Sequence, residues 1–318
     1  MSKLTTCFAV LASAVLVVPG VSEAQDLAKE SLESFPPQTI RVEYASPAKL
    51  RTLPNYARLR QRYIGSRLRA LEKSFAQLGV GEDDIDEVVL GWQPGTDSMK
   101  LAGIVVGRFT AKAIADQAGS RGIQPAMVGE LPGYCLGGEG GSTCLVVLRD
   151  SLGIFGAQDV VAAMLEARAG QAPSLISYER FARLIRETQT DAPIWGVAIG
   201  EAVPDWIRAW MPAQGNLQMD WAKAFQSVEA LVYSVETGNK VRLNVRMDCA
   251  TSQAAASTRQ VLEGLKLFQQ MAWRNMSPNQ PNPFETVEIT SSDLGVTLKM
   301  TTSYADLEGP GMTGGPGG

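Results

Sequence analysis

The sequence contains no histidine, and this absence limits what the protein can do. Without imidazole there is no base for Ser-His-Asp or Cys-His catalysis, no imidazole metal ligand and no histidine pH switch. The chain also lacks a Gly-x-Ser-x-Gly nucleophile elbow and a phosphate-binding loop that ends in Gly-Lys-Ser/Thr. These absences exclude the corresponding enzyme classes, and we expect neither a bound metal nor a cofactor.

The charge balance and composition exclude further classes of protein. Of the 318 residues, 29 are basic and 33 are acidic, so the net charge is −4. A protein that coats nucleic acid needs an excess of positive charge, and we therefore expect no nucleic-acid partner. Hydrophobic residues make up 45% of the chain, which is enough to bury a large core.

The amino terminus has the pattern of a secretory signal peptide, residues 1–24. Lys3 precedes an uncharged, mostly apolar run over residues 4–18, and Ser22 and Ala24 occupy the −3 and −1 positions of a cleavage site. An uncleaved anchor is less favoured, because this run is shorter than the ~20 residues that span a bilayer. We expect cleavage after Ala24, export to the periplasm or the extracellular space, and no transmembrane segment in the mature chain.

Export to an oxidising compartment would allow the cysteines to form a disulfide bond. Cys135 and Cys144 flank a glycine-rich turn that is followed by a strand-like run, and we expect these two residues to pair. Cys249 is then left alone, as a buried small hydrophobe. The alternative of a redox-active pair is disfavoured, because the Cys-x-x-Cys spacing is absent.

Residues 55–78 show apolar side chains at spacings of three and four, which predicts a helix. The arginines of this segment, among them Arg58, Arg62 and Arg69, lie mostly off the apolar face. The simpler interpretation is a solvated helix surface. The alternative is a docking face for an anionic lipid, a polysaccharide or an acidic partner such as another envelope protein.

A strand–turn–strand–helix pattern occurs twice, and more strands follow each helix. The segments of the two copies lie about 140 residues apart: 88–90, 101–106 and a helix from 110 in the first, 228–235, 240–247 and a helix over 251–273 in the second. We therefore predict an α+β fold with a duplicated ββαββ-type unit. Mainly antiparallel strands would form one sheet or two, with the helices packed on one face.

This pattern also divides the chain into segments. Prolines disfavour a long helix in residues 25–54, which are predicted to be an extended lead-in. The first α+β half is then expected over residues 55–170 and the second over residues 171–303. The glycine- and proline-rich tail, residues 304–318, is predicted to be disordered.

Tryptophans are concentrated in the second half of the chain. Trp206 and Trp210 are four residues apart and share one face of a predicted helix. One interpretation is that they pack the core or cover a sheet. The other is that they line an apolar groove for a ligand, together with Met211 and Trp221.

Three short motifs carry a family resemblance: Asp84-Ile85-Asp86-Glu87, Gly107-Arg108-Phe109 and Ala192-Pro193-Ile194-Trp195-Gly196. With the signal peptide, their arrangement resembles a loose group of secreted bacterial proteins, of the kind seen in acidobacteria, over most of residues 55–303. The resemblance implies the duplicated α+β architecture. It implies no activity for any residue.

The leading functional hypothesis is an exported, non-enzymatic envelope protein that binds a ligand or a protein partner. One alternative is a carrier of lipid or another apolar small molecule, with a groove near Trp206 and Trp210 that needs a cavity larger than about 300 Å³. The other alternative is a hydrolase with a pair of carboxylates in a cleft. The sequence selects no catalytic residue for it.

Overall fold

The computed structural model describes residues 23–63, 66–96, 99–138, 141–188, 191–210, 219–276 and 281–307. Twelve strands in these ranges form one sheet, in which every pair of neighbours is antiparallel. The strands are β1 (Arg41–Ala45), β2 (Ile85–Gln93), β3 (Lys100–Gly107), β4 (Ala126–Val128), β5 (Leu131–Gly138), β6 (Gly141–Arg149), β7 (Leu152–Gly156), β8 (Ile194–Ile199), β9 (Val228–Glu236), β10 (Val241–Cys249), β11 (Glu288–Ser292) and β12 (Gly295–Thr302).

Eleven α-helices of the same ranges surround the sheet. They are α1 (Glu23–Ser34), α2 (Pro47–Leu50), α3 (Tyr56–Tyr63), α4 (Ser66–Gln77), α5 (Ala111–Ser120), α6 (Gln158–Arg168), α7 (Glu179–Glu187), α8 (Ala202–Trp210), α9 (Trp221–Ala224), α10 (Ser252–Met276) and α11 (Tyr304–Leu307). Short 3-10 turns occur at Glu82–Asp84, Leu175–Ser177 and Pro283–Thr286.

The two halves of the sheet follow the same strand order. Across the sheet the order is β11-β12-β10-β9-β8-β1-β2-β3-β7-β6-β5-β4. In each half a first strand (β1 or β8) is followed by a hairpin, a helix and further strands, of which there are four in the first half (β4, β5, β6 and β7) and two in the second (β11 and β12). The last strand (β7 or β12) returns to pair with the hairpin. The predicted α+β class with a duplicated unit is confirmed, and the halves share one sheet through the pairing of β1 with β8.

Helices cover both faces of this sheet, whereas the sequence predicted helices on one face. On the first face, α1, α6 and α7 pack on one large cluster of buried side chains, which includes Val42, Tyr44 and Trp195. On the second face, α8 and α10 pack on one cluster, and α4 and α5 pack on another. The central strands are buried on both sides, so each side needs its own layer of helices.

Residues 25–54 were predicted to be an extended lead-in, and this prediction was wrong. They contain most of α1, the central strand β1 and the short helix α2. The prolines fall between these elements or at a tolerated position, since Pro47 begins α2, where a missing backbone N–H costs nothing. α1 is amphipathic and buries Leu27, Leu32 and the following Phe35 in the first-face core.

The predicted disordered tail was also partly wrong. Tyr304–Leu307 form the short helix α11, while residues 308–318 lie outside the described ranges. Residues 1–22 of the predicted signal peptide lie outside them as well. Among the helices that are described, none combines the length and the apolar character that a membrane crossing requires.

The predicted disulfide bond is present. Cys135 on β5 and Cys144 on β6 lie directly opposite each other and are bonded. Cys249 is a buried free thiol at the end of β10, as predicted, and burial raises the pKa of this thiol.

Candidate functional site

An apolar groove of about 520 Å³ lies on the second face of the sheet, between the two core clusters of that face. Nine consecutive strands, from β7 through the central pair to β11, contribute side chains to its floor. Most of these floor residues are aliphatic or aromatic: Leu90, Val105, Phe155, Val235, Leu243, Val245, Met247, Ile289, Leu298 and Met300.

Helices from both halves of the chain form the walls of the groove. On one side α2, α3 and α4, with the turn after α2, contribute Leu50, Leu53, Leu59, Leu68, Leu71 and Phe75. On the other side the wall consists of α8, α10, α11 and a 3-10 turn, which contribute Trp206, Ile207, Leu262, Leu265, Phe284, Tyr304 and Leu307. The spacing of three and four within these helices places each set of apolar side chains on one helix face.

A buried charged cluster lies at the centre of the floor. Glu43 on β1 is 7% exposed, and its Oε1 accepts hydrogen bonds from Arg41 Nη2 at 2.8 Å, Trp206 Nε1 at 3.1 Å and Tyr233 OH at 2.7 Å. The Arg41 guanidinium also lies over the Trp92 ring, 4.3 Å from its centroid. Burial, together with the charge of Glu43, raises the pKa of Tyr233. The carboxylate is thus held by charge-assisted hydrogen bonds from both halves.

A second polar cluster lies where α3 and α4 meet the turn before β2. Arg60 pairs with Glu72 and with Glu82, and Tyr56 OH donates a hydrogen bond to Glu82 Oε1 at 2.5 Å. Burial and the contact with Glu82 raise the pKa of Tyr56. Arg51 reaches the same Glu82 at 3.5 Å. These pairs attach the wall helices to the acidic turn and neutralise much of the charge of both.

The opposite wall of the groove, at α10, also contributes two polar side chains. Lys266 and Gln269 lie one turn apart on α10, and both line the groove. Gln269 is 3% exposed, and its Oε1 has no hydrogen-bond partner within the described part of the chain. Lys266 forms no ion pair with any described residue.

The structure places two of the four residues that the sequence grouped in one ligand site, Trp206 and Trp221, in different pockets. Trp206 lines the groove and contacts Tyr233, with ring centroids 4.6 Å apart. Trp221 instead lines a second, more polar pocket, where it stacks on Phe225. Met211 and the side chain of Trp210 lie outside the described residues.

The second pocket contains the carboxylates that a hydrolase would need, but none of them is sheltered. Glu201, Asp205 and Asp220 are all exposed. Asp205 pairs with Arg208 at 2.9 Å, and Asp220 accepts a hydrogen bond from a backbone N–H of α9. In the groove, each lining carboxylate (Glu43, Glu72 and Glu82) is paired with an arginine. Neither place holds a sheltered, uncommitted pair of carboxyl groups among the described residues.

The basic helix surface is partly exposed. Arg58 and Arg69 are exposed; Arg58 donates a hydrogen bond to Asn55 Oδ1 at 3.4 Å, and Arg69 donates one to the backbone oxygen of Gln61 at 3.4 Å. The side chain of Arg62 lies outside the described residues. Contact of this surface with an anionic partner stays a prediction.

Sequence reasoning missed Glu43, Lys266 and Gln269. For Gln269 a signal was present, because Leu262, Leu265, Gln269 and Trp273 follow a spacing of three, four and four on one helix face. A polar residue in such an apolar series indicates a buried polar site. Glu43 gave no comparable signal, since its partners Trp206 and Tyr233 are distant in the sequence.

The fold and the groove define an α+β protein with a large antiparallel sheet and an open apolar groove on one face. Neither the protein-family models nor the curated proteins gave a match. Solved structures of the treponemal protein TP0453 are similar in fold. Crystal form I has a TM-score of 0.50 at 10% identity, covering 87% of this chain and 94% of that one. Crystal form III has a TM-score of 0.49 at 11% identity, covering 87% and 96%. At these identities the likeness bears on the fold alone.

Proposed function

We propose that the protein is an exported, non-enzymatic binding protein that holds an elongated apolar molecule in the groove. The observation that carries this proposal is the groove itself. Its volume of about 520 Å³ lies well inside the usual range of roughly 300–1,000 Å³ for small-molecule sites. A closed core with no cavity above about 300 Å³ would have excluded this function.

The shape of the groove favours a long ligand over a compact one. Its floor crosses nine strands, and neighbouring strands are about 4.8 Å apart, so it extends for roughly 40 Å along the sheet. A single hydrocarbon chain fits such a narrow apolar path. Binding would be driven by removal of apolar surface from water, on the ligand and on the groove.

An apolar groove of this size needs an explanation, since larger side chains that closed it would stabilise the fold. Binding of an apolar ligand supplies that explanation. The disulfide bond between Cys135 and Cys144 supports an oxidising compartment, and the signal peptide predicted at residues 1–24 supports export.

The test is binding of a neutral fluorescent apolar probe, N-phenyl-1-naphthylamine, to the mature protein. Met300 and Lys299 are neighbours on β12, and only Met300 lines the groove, because successive side chains of a strand point to opposite faces. We expect Met300→Trp to weaken probe binding by about tenfold or more by filling the groove. The matched control Lys299→Trp should bind as the wild type does. Absence of probe binding to the wild type, or equal loss in both variants, would overturn the proposal.

A further inference from the structure

Lys266, a charged side chain that lines the groove, forms no ion pair with the residues that the structure describes. The charged residues that line it are Glu43, Arg60, Glu72, Glu82 and Lys266. The first four belong to ion pairs at the floor and at the α3–α4 wall. Lys266, on the opposite wall, has no ion pair within the described ranges. Lys266 is half-buried, and a charge that lines an apolar groove without an anion among the described residues is an incomplete site.

Gln269 provides an independent observation at the same place. Its Oε1 is buried in the groove wall without a hydrogen-bond partner among the described residues, although buried polar atoms are almost always paired. The residue lies three positions after Lys266 on α10, so the two side chains are neighbours on one helix face. The side-chain amide can present its oxygen or, after a 180° rotation, its NH2 group to a ligand.

We propose that Lys266 and Gln269 hold the head group of a ligand with one acyl chain and a single negative charge. This inference rests on the proposed function, since the chain of the ligand would occupy the apolar groove. The Lys266 ammonium pairs with the anion and the Gln269 amide completes its hydrogen bonding. One available cation matches one negative charge. A fatty carboxylate and the phosphodiester of a one-chain phospholipid both have this chemistry.

The experiment compares ligands that share one chain and differ at the head. Oleate, oleoyl lysophosphatidylglycerol and the neutral methyl oleate each displace the N-phenyl-1-naphthylamine probe from the mature protein. We expect one or both anions to bind about tenfold more tightly than methyl oleate, because a charge-assisted contact favours them. Whichever anion shows the preference identifies the head group.

Variants then assign the preference to residues. Lys266→Met should abolish the preference for the anion, because oleate loses its ion pair and methyl oleate has none to lose. Gln269→Leu should reduce the preference and strengthen binding of methyl oleate, because a buried unpaired polar atom is removed. Lys299→Met and Gln260→Leu, which change exposed residues outside the groove, are the controls and should match the wild type.

The outcomes separate this inference from the function on which it rests. Equal affinity of the wild type for both anions and for methyl oleate, with the probe still bound, would overturn the head-group site alone. Equal loss of oleate and methyl oleate binding in Lys266→Met would do the same. Failure of every ligand and of the probe to bind would overturn the groove function.

Discussion

Tyr233 donates a hydrogen bond of 2.7 Å to Glu43, and this contact joins the two halves of the protein across the centre of the sheet. The two residues lie on β9 and β1, on either side of β8, and Gly196 lies between them in register with both. A Cβ at Gly196 would lie 2.4 Å from Tyr233 Cε1 and 3.0 Å from Glu43 Cγ. The absence of a side chain at this position is what allows the buried contact.

Removal of one partner of the buried charge should therefore be costly. Tyr233→Phe deletes one donor to a buried carboxylate, and we expect the free energy of unfolding to fall by about 1.5–3 kcal/mol. Glu43→Ala also leaves Arg41 buried without its anion, with an expected loss of about 3–5 kcal/mol. Urea denaturation followed by tryptophan fluorescence measures both. Tyr178→Phe, at a partly exposed ring on the first face, is the control and should change stability by less than about 0.5 kcal/mol. Similar losses in all three variants would contradict the arrangement.

Two glycine-to-alanine substitutions should change stability in opposite directions. Gly196→Ala forces apart the contact described above, and we expect a loss of about 1–3 kcal/mol. Gly264→Ala adds a methyl group in the middle of α10, where nothing lies within 4 Å of the new Cβ. There the higher helix propensity of alanine should stabilise the protein by about 0.5–1 kcal/mol. The urea midpoints of the two variants relative to the wild type give the sign of each change in stability. A Gly196→Ala protein as stable as the wild type would show that the centre of the sheet is loosely packed.

The raised pKa of Tyr233 predicts a loss of stability at alkaline pH. Burial and the neighbouring Glu43 keep this phenol protonated in the folded state above its ordinary pKa of 10.0. The unfolded chain releases the proton near pH 10, so the stabilisation is fully present below that pH and is lost as the pH rises above it. The slope should be about −1.4 kcal/mol per pH unit for this residue.

Urea titrations between pH 9 and pH 11.5 measure this dependence. With rising pH, the free energy of unfolding of Tyr233→Phe should fall less steeply than that of the wild type, by about 1.4 kcal/mol per pH unit. The free energy of unfolding of Tyr178→Phe should follow that of the wild type. A remaining decline is expected from Tyr56, whose pKa is raised in the same direction. Parallel curves for the wild type and Tyr233→Phe would show that the phenol is not held by Glu43.

The sequence predicted those elements whose signal is local. The β9–β10 hairpin and the helix α10 carry their own alternation or their own spacing of three and four, and both occur where they were expected. The strand β1 is different. It is only five residues long, it alternates buried charged and buried apolar side chains, and it follows two prolines. Its place at the centre of the sheet depends on pairing with β2 and β8, which no local pattern specifies.

The groove was harder to predict than the strands. Its walls come from α3 and α4 in the first half and from α10 and α11 in the second, so it exists only once the halves share one sheet. Trp206, one of the two tryptophans grouped by helical spacing, lines the groove. The spacing alone could not predict this, because a shared helix face does not determine which cavity that face meets. Trp221 lies after a further segment and lines another pocket.

Thiol counting tests the disulfide bond and the export that would allow it to form. The mature chain expected after cleavage contains Cys135, Cys144 and Cys249. Alkylation of the denatured protein should modify one thiol without reductant and three after reduction, as measured by mass spectrometry. In the folded protein even the single thiol should react slowly, because Cys249 is buried and burial raises its pKa. Three reactive thiols without reductant would contradict the bond.

The same bond should contribute measurably to stability. Closing the short loop between Cys135 and Cys144 is expected to stabilise the folded state by about 2.5–3 kcal/mol in the chain-entropy model. Addition of reductant should therefore lower the urea midpoint of the wild type. The double variant Cys135→Ser/Cys144→Ser should start from the lower midpoint and should not respond to reductant. A response in the double variant would have to come from elsewhere, since Cys249 is the remaining cysteine of the mature chain. That result would mean that Cys249 forms an intermolecular bond, which its burial argues against.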